Sequence, residues 1–350
     1  MVYSIQFLRH VAASLVVIYH GVIFLAPHMT AHAEAAQHLS KVGAAGVHIF
    51  FVISGFVMVW TQANQFGKAA PWGFFKRRVA RIYPLYWILA LINVPILMLI
   101  ERQTPGTIAE WVGAFLLWPS EASKLIFVGW TLTFEMLFYA VFALCLALQL
   151  GRVVTLIGMT VIFAALVAVG QVMRFDSVSL SFVTNVLLME FVAGAWIAQL
   201  LIRFPTLPRW LGWAAVGLGT AGFALSVVIG YNALPSVIIW GLPSIFLVLG
   251  LPILEQRGVG ARFFPRFATA GDASYALYLV HPVVMSPLAY MLPNDVMFGL
   301  GPMLAILLVT YGALYWISVR INQRVEKPLL RVTQRQTARH PPAEGVRPSG

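Results

Sequence analysis

A guanidinium and an imidazole on one apolar stretch are the first groups in the chain that could do chemistry. Arg9 and His20 fall within residues 5–27, and a helix needs roughly 20 apolar residues to cross a bilayer. Ionisable groups at that depth cost a few kcal/mol each, so they tend to face a protein interior or a wet cavity. The two lie eleven residues apart. That is about three helical turns, which puts both side chains on one face, on the order of 16 Å apart. A cation near one membrane face and an imidazole deeper on the same stripe outline a polar route into the membrane. The plainer alternative is a snorkelling arginine and a hydrogen-bonded packing histidine.

Further groups share this ambiguity. Glu135, in the run Trp130-Thr-Leu-Thr-Phe-Glu-Met-Leu-Phe-Tyr139, and Glu190 are carboxylates inside apolar segments. A buried carboxylate pairs with a cation or a donor, or takes up a proton. Trp130, Phe134 and Phe138 recur at helical spacing with Glu135 beside the stripe; the structural alternative is a Glu that ties helices together. Nothing around Glu190 marks it as specialised. Lys76, Arg77, Arg78 and Arg81 open another apolar segment. Arg78 and Arg81, three apart, share a helical face, and guanidinium suits bidentate phosphate contacts. On charge alone, such a cluster equally marks topology and lipid headgroup contact. His28, His32, His38 and His48 crowd one stretch, but their spacing is irregular and no Cys or placed carboxylate completes a zinc set; no metal is expected. Asp272 is placed to cap a helix start. Ser274-Tyr-Ala-Leu-Tyr-Leu-Val-His281-Pro282 follows, where Pro282 frees a backbone carbonyl and His281 suits packing as well as chemistry.

The elements that must position these groups are membrane helices. Of the 350 residues, 60% are hydrophobic and 10% charged, with mean hydropathy +0.84; a soluble domain carries about 25% charge. An all-α polytopic membrane protein is expected, with about ten spans: 5–27, 43–62, 79–100, 126–149, 153–173, 180–202, 210–230, 234–253, 272–292 and 297–319. The short apolar piece 108–118, flanked by Pro105 and Pro119, reads as interfacial or re-entrant. Ala31-His32-Ala33 resembles a signal-peptide cleavage site, but the preceding run is too long for an ordinary signal core, so a retained first span is expected. Ten spans with both termini cytoplasmic place eighteen Lys and Arg inside and four outside, as the positive-inside rule demands. The net charge of +11 therefore reports topology and anionic lipid rather than nucleic acid. The lone Cys145 allows no intrachain disulfide. Residues 1–330 form the membrane domain, and 331–350 read as a disordered cytoplasmic tail. The pattern is silent on oligomeric state.

Together these pieces resemble membrane acyltransferase family 3, the integral-membrane O-acyltransferases of bacterial polysaccharides. The carrying elements are Ile-Gln-Phe-Leu-Arg9 with ten residues between Arg9 and His20, Phe50-Phe-Val-Ile-Ser-Gly-Phe56, Arg78-Val-Ala-Arg81, Trp130-Thr-Leu-x-Phe-Glu135 with Phe138-Tyr139, Ser274 to Pro282, and Val325-Glu-Lys-Pro328. The fourth is especially like the exopolysaccharide-modifying branch. The resemblance implies acyl-CoA as donor, acetyl-CoA in the simplest case, docking at the cytoplasmic face of a bacterial inner membrane. It implies phosphate contacts from Arg78 and Arg81, supported by Lys76 and Arg77, with Arg9 at the entrance. His20 is then the general base and Glu135 its orienting carboxylate, with a covalent acyl-His intermediate as the rival route. Trp130, Tyr139, Tyr278 and His281 are the expected substrate contacts; His48 receives no role. The acceptor is a polymeric or lipid-linked sugar, handled by the membrane domain or a partner protein. Two readings from other classes stand beside it: a proton-coupled transporter using His20, Glu135 and Glu190 as a relay, and a non-catalytic scaffold.

Overall fold

A computed structural model of the chain describes residues 2–30, 32–68, 70–101, 106–119, 125–293 and 295–331. Fourteen α-helices run in order: α1 (Tyr3–Leu25), α2 (Ala33–Ser40), α3 (Ala45–Thr61), α4 (Pro71–Ile96), α5 (Ile108–Phe115), α6 (Trp130–Ala147), α7 (Arg152–Met173), α8 (Val178–Val183), α9 (Leu188–Arg203), α10 (Arg209–Ile229), α11 (Leu242–Gln256), α12 (Ala268–Asp272), α13 (Ser274–Met291) and α14 (Leu300–Ile321). No strand occurs among the described residues; an isolated bridge joins Met29 and Phe298. Among those residues nine segments are long and apolar enough to cross a membrane. They coincide with nine of the ten expected spans. The tenth, α13, is a helix of 18 residues, but Ser274, three tyrosines, His281, Ser286 and two prolines dilute its apolarity below the other nine. Its burial is nearly continuous from Ser274 to Val283, because it packs against protein where a lipid-facing helix would need an apolar surface all round. The expected tail lies, beyond Arg331, outside the described residues.

The centre of the bundle is α3 against α9. A Cβ on Gly55 would sit 1.8 Å from the Phe191 carbonyl oxygen, and one on Gly194 1.9 Å from that of Val52. The two backbones thus touch through a reciprocal pair of glycines, as small residues allow between membrane helices. Periphery falls to α7, α10 and α14, whose Val161, Val172, Leu218, Val228, Leu308 and Val309 are exposed in the manner of lipid-facing surface. The expected short piece at 108–118 contains α5, closed at its start by a Thr107–Glu110 capping box. Its last carbonyls accept from α4: Tyr86 Oη to Ala114, Trp87 Nε1 to Phe115 and Tyr83 Oη to Leu116, at 2.7–2.9 Å. Carbonyls at a helix C-terminus are short of intrahelical donors.

Partners from late in the chain hold α1. Both oxygens of the Glu255 carboxylate accept from the first backbone N–H groups of the helix, Tyr3 and Ser4, each at 2.8 Å. Gln6 donates to Asp272 at 2.9 Å, and Ser14 shares a 2.7 Å hydrogen bond with Tyr311. Asp272 does not cap α13 as expected: the residue before that helix is Ala273 and carries no side-chain cap. The Asp272 carboxylate is drawn instead to Gln6 and to Lys327, 2.9 Å from its Nζ.

Candidate active site

Two polar centres lie in sequence along α1. The first is a cavity of about 210 Å³ whose lining includes Arg9, Ser54, Arg78, Arg81, Thr131, Glu135, Tyr139, Tyr275 and Tyr278, closed by apolar side chains of α3 and α6. Three helices, α1, α4 and α6, supply its charged groups, so only the folded bundle assembles it. Arg9 reaches Gln6 Oε1 at 3.4 Å. Arg81 pairs with Glu326 at 3.6 Å, a residue of the late Val325-Glu-Lys-Pro328 element, and Glu326 accepts from Asn322 at 2.9 Å. Arg78 is different. Its guanidinium stacks 5.4 Å from the Phe74 ring and 5.8 Å from that of Tyr139, and its buried Nε has no hydrogen-bond partner among the described residues. Glu135 accepts from Ser54 at 3.1 Å and from Tyr139. The lining thus carries three guanidiniums and one carboxylate. An excess of positive charge in a low-dielectric enclosure favours an anion, because leaving buried charge unmatched is costly.

The second centre is a pair of imidazoles. His20 Nδ1 lies 3.0 Å from His281 Nε2, with the rings stacked 5.1 Å apart at 14°. His281 Nδ1 lies 3.3 Å from the carbonyl oxygen of Leu277. A neutral imidazole has one N–H. If His281 spends it on Leu277, its Nε2 is a lone pair that accepts from His20 Nδ1–H. The remaining nitrogen, His20 Nε2, then holds the lone pair of a base; this tautomer is assigned from the hydrogen-bond network. Tyr278 links the two centres. Its ring is 5.9 Å from that of His281, its hydroxyl is 2.9 Å from that of Thr131, and both residues line the cavity.

The expected residues sort as follows. Arg9, Arg78, Arg81, Glu135, Tyr139 and Tyr278 are brought to one cavity, and His20 and His281 to each other. Glu135 does not orient His20: its bonds go to Ser54 and Tyr139, and the imidazole partner of His20 is another imidazole. Lys76 and Arg77 do not line the cavity. Lys76 stands 5.2 Å over the Trp72 ring, in a groove on another face of α4 with Phe75, Tyr83 and Trp87. Trp130 is also absent from the cavity lining; it packs against Phe51 and Phe134. Sequence reasoning missed Ser54, Tyr275, Thr131 and Glu326. All four lie within motifs quoted above, Ser54 in the second, Thr131 in the fourth, Tyr275 in the fifth and Glu326 in the last, so position in a motif was the available signal. Glu190 ties two helices together. Its Oε1 is 2.6 Å from His48 Nδ1, and both side chains are buried.

A polytopic bundle with a cationic cavity beside a pair of imidazoles has the makings of an integral membrane enzyme, and the class follows from its relatives. The chain belongs to acyltransferase family 3: residues 2–319 match its acyltransferase domain. It is 34% identical over 316 residues to the exopolysaccharide production protein ExoZ of Rhizobium meliloti (strain 1021), covering 85% of this chain and 93% of that protein. It is 26% identical over 284 residues to the acyltransferase MdmB of Streptomyces mycarofaciens, covering 72% of this chain and 70% of the relative. No solved structure matches. The chain is an acyltransferase, and the transporter and scaffold readings give way to that family membership. The groups a proton relay would have linked are also dispersed: His20, Glu135 and Glu190 each have separate partners.

Proposed function

We propose that the protein transfers an acyl group, acetyl in the simplest case, from acyl-CoA to a hydroxyl of an exopolysaccharide or other cell-surface sugar. The observation that carries this reading is Arg78, a cavity-lining guanidinium that lies against the rings of Phe74 and Tyr139 and, among the described residues, forms no ion pair with a carboxylate. Phosphate is the chemistry that such a group receives. Arg81, restrained by Glu326, and Arg9 add to the same field. The cavity opens the donor side toward the bacterial cytoplasm, the termini share that side, and the host bilayer is the inner membrane. The basic residues grouped on that side support this orientation. The relative named for exopolysaccharide production supports a glycan acceptor, whether polymeric or lipid-linked.

In this reading the acyl thioester lies at the Tyr278 end of the cavity. His20 Nε2 takes the proton of the sugar hydroxyl as its oxygen attacks the thioester carbonyl carbon. The tetrahedral adduct collapses, the carbon–sulfur bond breaks, and the proton passes from the His20 imidazolium to the CoA thiolate. An ester and a free thiol result, with no net proton change. His281 holds the His20 ring and its tautomer, the role a carboxylate fills elsewhere. Membranes with the wild-type protein, His20→Ala and Arg78→Ala at matched expression, given radiolabelled acetyl-CoA, test this. Label is expected in the glycan or glycolipid fraction for wild type only. Undiminished labelling by His20→Ala removes the proposed base.

A further inference from the structure

The imidazole pair is approached from a second direction, and there an aromatic ring stands over it. Phe127 belongs to a single 3₁₀ turn (Phe127–Gly129) just before α6. Its ring crosses that of His20 at 86° with centroids 4.9 Å apart, and that of His281 at 86° and 6.3 Å. It also meets Phe24 at 87° and 6.1 Å. Neighbouring Leu125, Ile126 and Val128 are at most 2% exposed, whereas Phe127 is 41% exposed. Position along α1 shows which side this is. Arg9 lines the cavity, His20 lies about three turns beyond it, and Phe24 one turn further. Phe127 touches His20 and Phe24, so it sits on the far side of the base from the arginines. Neither Phe127 nor Phe24 lines the cavity.

We propose that Phe127, backed by Phe24, is the acceptor platform: the ring on which the sugar stacks while its hydroxyl reaches His20 Nε2. The proposal rests on the acyl-transfer reading above. An exposed aromatic face carries negative quadrupole charge and suits the weakly positive C–H face of a pyranose. Half-exposed phenyl rings are otherwise unremarkable on a membrane protein. This one is singled out by edge contact with both rings of the candidate base pair. The two substrates would then meet at His20 from opposite sides without sharing a binding surface. A second consequence is water control. With the platform occupied, the thioester is shielded from hydrolysis, the side reaction that closed sites suppress.

The test uses the full-length protein in membranes or detergent, ¹⁴C-acetyl-CoA, and the alkali-deacylated surface glycan of the parent cell as acceptor. Transfer, and hydrolysis without acceptor, are measured for wild type, Phe127→Ala and Phe127→Trp. Phe127→Ala is expected to raise the KM for glycan roughly three- to tenfold, leave the KM for acetyl-CoA unchanged, and keep or raise hydrolysis. Phe127→Trp is expected to restore transfer. Equal loss of transfer and hydrolysis in Phe127→Ala would reduce the ring to a prop for His20, and unchanged glycan KM would remove the platform outright; either result overturns the proposal. If wild type consumes no acetyl-CoA, the underlying reading fails and takes the proposal with it, an outcome distinct from both.

Discussion

Two histidines of this protein, His48 and His20, have opposite circumstances. His48 makes the bond that a search for catalytic machinery would seize upon, 2.6 Å from Nδ1 to the Glu190 carboxylate. Yet it is sealed. His48 is 5% and Glu190 3% exposed, the Trp240 ring covers the imidazole at 5.5 Å, and a Cβ on Gly241 would fall 2.3 Å from Glu190 Oε1. His20 has no carboxylate, only a second imidazole. Its partner His281 meets the cavity-lining Tyr278 on one side, and the exposed Phe127 ring stands on the other. A short bond shows that a buried polar group has found its partner. Chemistry also requires that two reactants arrive. The His48–Glu190 pair is a bolt between α3 and α9, whereas the His20–His281 pair is where the proposed mechanism brings the two substrates together.

That contrast breaks or sharpens with four substitutions, in order of expected effect. His20→Ala should lower glycan labelling roughly 10²- to 10⁴-fold, the range general acid–base groups supply, with folded protein unchanged by size exclusion in detergent. Glu190→Ala should act on stability instead. Breaking a buried pair by removing one partner costs about 3–5 kcal/mol, visible as a lower unfolding midpoint in detergent, while activity per folded molecule stays within about twofold of wild type. A catalytic defect in that variant at full fold would abolish the distinction. Arg78→Ala should raise the KM for acetyl-CoA roughly 10- to 100-fold, equivalent to one or two charge-assisted hydrogen bonds of about 1.5–3 kcal/mol. Lys76→Ala, a few residues away on the same helix, should stay within about twofold, read in the same titration.

The sequence announced Arg9, His20, Arg78 and Arg81 because charge in apolar helices is expensive and therefore placed with purpose. It could not announce which helix would meet which. Helices this apolar have no single buried stripe, so periodicity leaves their rotation open. The partner of His20 comes from 261 residues away, which is why Glu135 was the expected orienting group and His281 the observed one. Lys76 and Arg77 were grouped with Arg78 by proximity in the chain. At about 100° per residue Lys76 points away from the face that Arg78 and Arg81 share, while Arg77 falls at the edge of that face beside Arg81 and does not line the cavity. Phe127 is one of 24 phenylalanines, and composition offers no reason to prefer it. Span boundaries were the easiest feature to read, since a bilayer sets segment length directly.

The attachments of α1 also set a schedule for synthesis. A ribosome makes the helix bearing Arg9 and His20 first, but its partners Glu255, Asp272, His281 and Tyr311 come from the last third of the chain. At about 5–20 residues per second, His20 waits on the order of 13–50 s for His281. During that interval the imidazole of His20 stands without its His281 partner. A chain stalled or clipped before its ninth expected span therefore lacks the His20–His281 pair, and under the proposed mechanism catalytic competence is gained in a single late event.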